Sequence, residues 1–193
     1  LGDVYKRQPL FNEEDPSYKG AVWGRDVPKL TGANVAFAVR SRVVLLRDLG
    51  APLAPFNAFQ IIQGLETVAL RMKQHCMNAE KVVTFLETQK KVKNVIYPTN
   101  HQGEIKDRAK RYMKGGYGSL VGMDLGSKEA GAKFIYSLKL LYQVANIGDA
   151  RSLAIHPAST THSQLNEKQL AEAGVTPGYV RLSIGIEHPD DII

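Results

Sequence analysis

The stretch Tyr179-Val180-Arg181-Leu182-Ser183-Ile184 has the alternating pattern of a half-buried β-strand. Successive side chains on a strand point to opposite faces, so the three apolar residues share one face and Arg181 lies on the other. We expect the apolar face to pack against a core. An arginine among such residues is costly to desolvate unless it meets an anion, and its planar fork suits a carboxylate. From the pattern alone, an anion-binding arginine and an ordinary surface arginine both stay open.

Further strand-like segments precede this one and alternate with helical patterns. They lie at 93–97, 119–125, 143–147 and 152–155. Ser127 can cap a helix, and Asn166 and Gln169 have the spacing of a capping box. We therefore predict an α+β domain over 92–193. The residues His188-Pro189-Asp190-Asp191 have the pattern of a helix start, so this domain is expected to be truncated at its last helix.

Longer helical patterns fill the middle of the sequence. Apolar residues recur at intervals of three and four over 33–48, and Gly50 and Pro52 end that helix. A second pattern runs over 57–91, with a bend near 76–79 as the alternative. Because an average helix has about 11–12 residues, this length suits a helix that connects two lobes. Both helices are apolar beyond one narrow stripe, so we expect exposed apolar surface on them.

Composition places the chain among folded, soluble proteins. Its 193 residues are 44% hydrophobic and 23% charged, which excludes collagen-like and wholly disordered classes. The first 30 residues are punctuated by proline and glycine and are predicted to be irregular. No run approaches a membrane-spanning helix, and no secretory signal is seen, so a cytoplasmic protein is expected. The single cysteine, Cys76, excludes an intrachain disulfide framework and is expected to be buried.

The net charge of +6, from 25 Lys and Arg against 19 Asp and Glu, raises the question of nucleic acid. A nucleic-acid-binding protein concentrates its positive charge in a stripe that includes stacking aromatic side chains. Here the basic residues are spread along the chain, and the densest run, 106–111, contains Asp107. We therefore expect no nucleic-acid partner, because net charge by itself bears on solubility and steering.

The segment 146–162 concentrates amide, hydroxyl and imidazole groups outside any helical pattern. His156 and His162 lack the spacing of a zinc site, and Ser159 lacks the Gly-x-Ser-x-Gly elbow of a hydrolase. A loop of turn residues is favoured, and no metal site is predicted. The glycine-rich run 115–119 precedes a strand and lacks the Lys-Ser/Thr of a P-loop, which favours a tight turn over a phosphate cradle.

Three separated stretches resemble the cysteine and methionine metabolism family of pyridoxal-phosphate enzymes. They are Gln63-Gly64-Leu65-Glu66-Thr67-Val68-Ala69-Leu70-Arg71-Met72, Ser152-Leu153-Ala154-Ile155-His156-Pro157-Ala158-Ser159-Thr160-Thr161-His162 and Val180-Arg181-Leu182-Ser183-Ile184-Gly185-Ile186-Glu187. Three motifs in the right order make chance agreement improbable. The segments 15–18, 54–59 and 146–149 resemble most the sulfhydrylase branch of the family, whose members act on O-acetylhomoserine. The resemblance runs from about Pro9 to Ile193.

The resemblance implies an α/β chain with the aminotransferase-like architecture of fold type I pyridoxal-phosphate transferases, present as a C-terminal fragment. Residues 9–56 would end the large cofactor domain, 57–91 would form a long connecting helix, and 92–193 would form the small α+β domain. Residues 1–8 depart from the family pattern, so we expect them to be a non-native leader. Family members form tetramers, which implies a homo-oligomer.

The resemblance also implies a γ-replacement reaction, in which O-acetylhomoserine and sulfide or methanethiol give homocysteine or methionine plus acetate. The alternatives are a cystathionine γ-synthase, a cystathionine β-lyase or a methionine γ-lyase of the same family. For this chain alone, a non-catalytic folded lobe is a further alternative. The cofactor would be pyridoxal 5'-phosphate, bound mainly by an upstream half that also carries the Schiff-base lysine. No lysine here matches the family's Ser-x-Thr-Lys motif.

Three residues take roles through the resemblance. Arg181 matches the family's carboxylate-binding arginine, which strengthens the inference drawn from the strand pattern. Asn146 matches a second polar contact to the same substrate carboxylate. Thr161 matches a hydroxyl near the active-site face, with a supporting role. No catalytic residue is expected within this chain.

Overall fold

The computed structural model describes residues 8–193, so the expectation for residues 1–8 falls almost wholly outside the described part. The chain divides into two compact units, Leu1–Ile62 and Gln63–Ile193. This division lies inside the segment expected to connect two lobes. The domain boundaries inferred from the resemblance stay predictions.

The described part of the first unit is helical. It contains α1 (Pro9–Asn12), α2 (Trp23–Thr31) and α3 (Ala36–Arg40), which continues as a π-helix over Ser41–Asp48. The predicted helix over 33–48 is thus confirmed from residue 36. The prediction that the first 30 residues are irregular is wrong at α2. There the Asp26 carboxylate accepts a hydrogen bond of 2.9 Å from the Val22 amide, and Gly32, at φ 71°, ends the helix.

Two helices occupy the segment 57–91. They are α4 (Pro55–Glu66) and α5 (Val68–Glu87), separated at Thr67, whose φ of −106° and ψ of 2° depart from helical values. The structure therefore corrects the single uninterrupted helix, and the interruption lies at Thr67 and not at 76–79. Gly64 weakens the helix shortly before the break, and the β-branched Thr67 has low helix propensity.

The second unit is built on an antiparallel sheet of four strands. These are β1 (Asn94–Ile96), β2 (Leu120–Asp124), β3 (Leu153–Ile155) and β4 (Tyr179–Ser183), in the order β1-β2-β4-β3. All neighbouring pairs run antiparallel. The four strands confirm the predictions at 93–97, 119–125, 152–155 and 179–184, whereas 143–147 forms no strand.

The core of the second unit covers one face of this sheet. Val180, Leu182 and Ile184 are all buried, as the alternation predicts. Residues of β2 and one side of α5 pack with them, namely Val121, Met123, Ala79, Val82, Val83 and Leu86. Full burial of each aliphatic side chain stabilises the fold by about 1.5–3 kcal/mol. The alternation therefore fixes which face of β4 is free to carry Arg181.

Four short helices complete the second unit. They are α6 (Gly103–Tyr112), α7 (Lys128–Ser137), α8 (Glu167–Glu172) and α9 (Pro189–Ile192). Ser127 caps α7 by accepting a hydrogen bond from the Ala130 amide, and Asn166 and Gln169 form the capping box of α8. These caps and the start of α9 confirm the sequence signals. The basic run 106–111 lies on α6, a helix that the sequence analysis missed.

Cys76 is 8% exposed and faces the glycine turn before β2, where a Cβ on Gly116 would come within 2.6 Å of its Sγ. The expected buried cysteine is therefore confirmed. None of the described helices is both long enough and apolar enough to cross a membrane. Residues 8–193 contain no group of three or more His, Cys, Asp or Glu side chains arranged to hold a metal ion.

Candidate substrate-carboxylate site

Arg181 sits at the centre of β4, on the sheet face opposite the core. It pairs with Gly122 of β2 and with Ile155 of β3. The residue as a whole is half-buried. The strand thus holds Arg181 in the middle of the sheet, on the face away from the core.

Tyr179 lies beside Arg181 on the same face of β4. Its ring passes close over Gly122, where an added Cβ would come within 2.7 Å of the ring carbon Cε2. Burial raises the pKa of the Tyr179 phenol, and the positive charge of Arg181 lowers it in part. The glycine in β2 therefore makes room for an aromatic side wall next to the guanidinium.

The backbone of Asn146 contacts Arg181, while the predicted role of its side chain toward the substrate carboxylate stays a prediction. The contact runs from Arg181 Nη2 to the backbone carbonyl oxygen of Asn146, at 3.4 Å. The Asn146 side chain is exposed and makes no hydrogen bond to any residue in 8–193. The backbone of this residue therefore makes only a long contact to the arginine, while its side-chain amide is open to another partner.

The charge of Arg181 has no counterion within the described residues. Arg151, which follows Asn146 by five residues, differs from Arg181, because it pairs with Asp149 at 3.2 Å and its guanidinium lies 4.7 Å from the centre of the Tyr142 ring. The hydrogen bond from Arg151 lowers the pKa of the Asp149 carboxyl. Of these two arginines, Arg181 is thus the one whose donors remain for an external anion.

The loop 143–152 is fastened to the end of β4. The Gly148 amide donates to Ser183 Oγ at 3.4 Å, and the Ile186 amide donates to the Ala150 carbonyl at 2.9 Å. Ser152 and Glu187 add further hydrogen bonds. The sequence analysis placed both residues in motifs of the resemblance but gave neither a role.

Within residues 8–193, Thr161 makes no hydrogen bond to Arg181 or Asn146. Its hydroxyl instead lies 2.9 Å from His162 Nδ1, on an exposed loop. The buried His156 has structural partners, Ser159 Oγ at 2.9 Å and the Pro177 carbonyl at 2.7 Å. The supporting role of Thr161 therefore stays a prediction.

A sequence model of the family described as "Cys/Met metabolism PLP-dependent enzyme" matches residues 21–193. The chain belongs to this family. The family recognition and the fold class expected from the motifs are thereby confirmed. A solved structure from Campylobacter jejuni, described as a candidate O-acetylhomoserine (thiol)-lyase with a pyridoxyl-lysine phosphate, is similar over 100% of this chain. The TM-score is 0.78 at 41% identity.

Curated members of the family show the same relationship. O-acetyl-L-homoserine sulfhydrylase of Leptospira meyeri is 49% identical over 189 residues, which cover 95% of this chain and 42% of that protein. O-acetyl-L-homoserine sulfhydrylase 1 of Thermus thermophilus is 44% identical over 96% of this chain and 43% of its own length. Homocysteine synthase of Schizosaccharomyces pombe is 42% identical over 97% of this chain and 43% of its own length. This chain therefore spans less than half the length of these relatives.

The described lysines all lie at or near the surface of the chain. A pyridoxal-phosphate enzyme binds its cofactor covalently through a lysine in the active site. Every lysine among residues 8–193 is exposed or half-exposed, and none is buried.

Proposed function

We propose that this chain supplies the substrate-carboxylate-binding part of an enzyme that acts on O-acetylhomoserine. The overall reaction joins O-acetylhomoserine with sulfide or methanethiol and releases acetate, giving homocysteine or methionine. The names of the relatives at 42–49% identity support this choice of substrate. Pyridoxal 5'-phosphate, the family's cofactor, would supply the electron sink for this chemistry.

The observation that carries the proposal is the state of Arg181. Its guanidinium is held on a half-buried strand position and lacks an acidic partner within residues 8–193. A planar guanidinium can bind both oxygens of a carboxylate at once, which fixes the direction of the bound amino acid. Such orientation is the contribution that a substrate-binding lobe makes to catalysis. Asn146 would add its exposed side-chain amide to the same carboxylate.

A division of labour between this chain and the rest of the enzyme follows. We propose that the cofactor is bound mainly by residues outside this chain, which also supply the Schiff-base lysine. The surface positions of the lysines in residues 8–193 support this division. The chain by itself is then a non-catalytic folded lobe, and the complete enzyme is a homo-oligomer.

A chimera tests the activity. This chain replaces the segment that it matches in the Leptospira meyeri sulfhydrylase, which is 49% identical to it. The intact relative serves as the control. We expect the chimera to form homocysteine and acetate from O-acetylhomoserine and sulfide. Turnover of cystathionine or methionine without any homocysteine would instead assign the chain to a cystathionine-cleaving or methionine-cleaving branch of the family.

The isolated chain tests the division of labour. A Schiff base between lysine and this cofactor absorbs at about 420 nm and can be fixed by borohydride. We expect the isolated chain, mixed with pyridoxal phosphate, to show no stoichiometric band that borohydride fixes to one lysine. Such a band would contradict the non-catalytic lobe and would place a cofactor lysine within this chain.

A further inference from the structure

We infer that Glu187 is a positioning residue that holds the Asn146 loop in register with Arg181. The inference rests on the proposed function, because it assigns Glu187 to the geometry of the same carboxylate site. We call Glu187, Ser152 and Gly185 the Glu187 clamp. Arg181 and Asn146 would touch the substrate, whereas the clamp acts through them.

Both oxygens of the Glu187 carboxylate are used. Oε1 accepts a hydrogen bond of 2.6 Å from the Ser152 amide, and Oε2 accepts one of 2.9 Å from Ser152 Oγ. Ser152 has 0% of its surface exposed, so both of its donor groups are shielded from water on their own side. Hydrogen bonds to a charged acceptor are stronger than bonds between neutral groups. Glu187 therefore fixes the residue that ends the loop.

Ser152 also connects Glu187 to the backbone at the end of β4. Its hydroxyl donates to Glu187 and also accepts a hydrogen bond of 2.9 Å from the Gly185 amide. A Cβ on Gly185 would come within 2.6 Å of the carbonyl carbon of Arg151. The lack of a side chain at Gly185 thus permits the close approach of loop and strand on which the clamp depends.

Helix α5 holds the other side of the clamp. The side-chain amide of Asn78 donates to the backbone carbonyl of Gly185 at 3.0 Å and to that of Glu187 at 2.7 Å. His75 Nδ1 lies 2.6 Å from the carbonyl of Ile184. Both of these helix residues are 1% exposed. Because α5 fixes the backbone of residues 184–187, the Glu187 carboxylate is a rigid anchor for the loop.

The candidate carboxylate site lies at the opposite end of the loop from the clamp. Only six residues lead from Ser152 back to Asn146, whose carbonyl meets Arg181 Nη2 at the long distance of 3.4 Å. A contact of this length does not hold a loop by itself. The clamp, helped by the 2.9 Å hydrogen bond from the Ile186 amide to the Ala150 carbonyl, therefore decides where Asn146 stands relative to the guanidinium.

Hydrogen exchange on the full 193-residue chain tests the clamp directly. The variants are Glu187→Gln, Glu187→Ala and the control Glu172→Gln, which changes an exposed glutamate on α8. We expect the Ser152 amide and the amides of 146–151 to exchange about tenfold faster in the Glu187→Ala variant, with a smaller change in Glu187→Gln. The β1 and β2 amides should keep their rates. Unchanged exchange in the loop, or an equal rise across the whole sheet, would overturn the inference.

Kinetics of the same variants in the chimera test the link to the substrate carboxylate. The readout is the ratio of kcat/KM for O-acetylhomoserine to that for its α-carboxyl methyl ester. We expect Glu187→Gln to lower this ratio about tenfold, mainly through KM for the free acid, while Glu172→Gln leaves it unchanged. An equal loss for acid and ester would show a purely structural role and overturn the inference. If the unsubstituted chimera fails to turn over, the proposed function fails, whereas the exchange result still decides whether the clamp exists.

Discussion

The imidazole Nδ1 of His75 lies 2.6 Å from the carbonyl oxygen of Ile184, a residue 109 positions further along the chain. Because a carbonyl can only accept a hydrogen bond, Nδ1 must be the donor. His75 is 1% exposed, so this bond is shielded from water. The bond ties α5 to the end of β4, three residues beyond Arg181. The position of the candidate site thus depends on a helix that does not itself carry a site residue.

Replacement of this histidine should destabilise the second unit. In His75→Ala the Ile184 carbonyl loses its buried donor, and a cavity is left beside α5. The two effects together should lower the free energy of unfolding by about 2–4 kcal/mol. Urea unfolding followed by circular dichroism measures the change. Lys73→Ala, at an exposed position of the same helix, is the control, and an equally small effect of both changes would contradict the importance of the bond.

Two glycines should respond oppositely to alanine. At Gly185 a Cβ would come within 2.6 Å of the Arg151 backbone, so Gly185→Ala should destabilise the chain by about 1–3 kcal/mol or more. At Gly64, inside α4, a Cβ would meet nothing within 4 Å, so Gly64→Ala should stabilise it by about 0.5–1 kcal/mol. Thermal unfolding of both variants checks the two signs. A tolerated alanine at Gly185 would mean that the loop and strand can separate without cost.

Local sequence signals predict much of this fold correctly. The alternation in β4, the cap at Ser127 and the capping box at Asn166 each depend on neighbouring residues, and each is present in the structure. The sequence analysis missed α6, because that helix is strongly polar and has no buried residue to give an apolar period. It also missed α2, where Pro28 lies inside the helix and obscured the pattern.

The candidate site was predictable only in part, for a related reason. Arg181 stands out because its strand neighbours are apolar, and Asn146 comes from the resemblance. The contacts that position them join residues far apart in the chain, such as Ser152 with Glu187 and His75 with Ile184. No local pattern encodes such pairs. The buried polar character of His75 and Ser152 becomes visible only once the sheet is assembled.

The stability of the first unit should fall in acid partly through Asp26. The hydrogen bond from the Arg25 side chain, followed by that from the Val22 amide, lowers the pKa of this carboxyl from 3.8 to about 2. A carboxyl whose pKa is lower in the folded than in the unfolded chain stabilises the fold at pH values above its unfolded pKa. This stabilisation is lost as the pH falls toward the pKa of the folded state. Asp26→Asn should therefore weaken the pH dependence between about 4 and 2. Fluorescence of Trp23, the single tryptophan, reports the unfolding.

The control for this measurement is Asp107→Asn, which changes an exposed aspartate of the second unit. It should leave the acid transition seen by Trp23 unchanged. An Asp26→Asn chain whose transition follows that of the unsubstituted chain at every pH would show that the Arg25 and Val22 contacts do not contribute to stability.

The isolated chain should bind a hydrophobic dye and associate with itself. The prediction of exposed apolar surface on the helices is confirmed on α4, where Phe56, Phe59, Ile61, Ile62 and Leu65 are each 53–66% exposed. Patches of this kind are rare on the surface of a monomer. Ile61→Glu with Leu65→Glu should lower dye fluorescence and shift the chain toward monomer in light scattering, with unchanged helical circular dichroism. A monomeric chain that binds no dye would contradict the expectation.

Arg181→Lys should weaken substrate binding in the active chimera while cofactor binding is retained. Lysine keeps the charge at this strand position but loses the bidentate fork, so the carboxylate is held less firmly and the α-proton is less well aligned. Loss of one charge-assisted hydrogen bond costs about 1.5–3 kcal/mol, which corresponds to a fall of about ten- to a hundredfold in kcat/KM.

Asn146→Ala should have a smaller effect, because it keeps the backbone carbonyl that contacts Arg181 and removes only a neutral amide. Thr161→Val should change kcat/KM least, because the Thr161 hydroxyl contacts His162 and neither Arg181 nor Asn146. Steady-state kinetics decide the order of the three variants, with the cofactor spectrum as the control for folding. An Arg181→Lys enzyme with unimpaired kcat/KM would mean that the substrate carboxylate is bound elsewhere, because a lysine cannot replace both hydrogen bonds of the guanidinium fork.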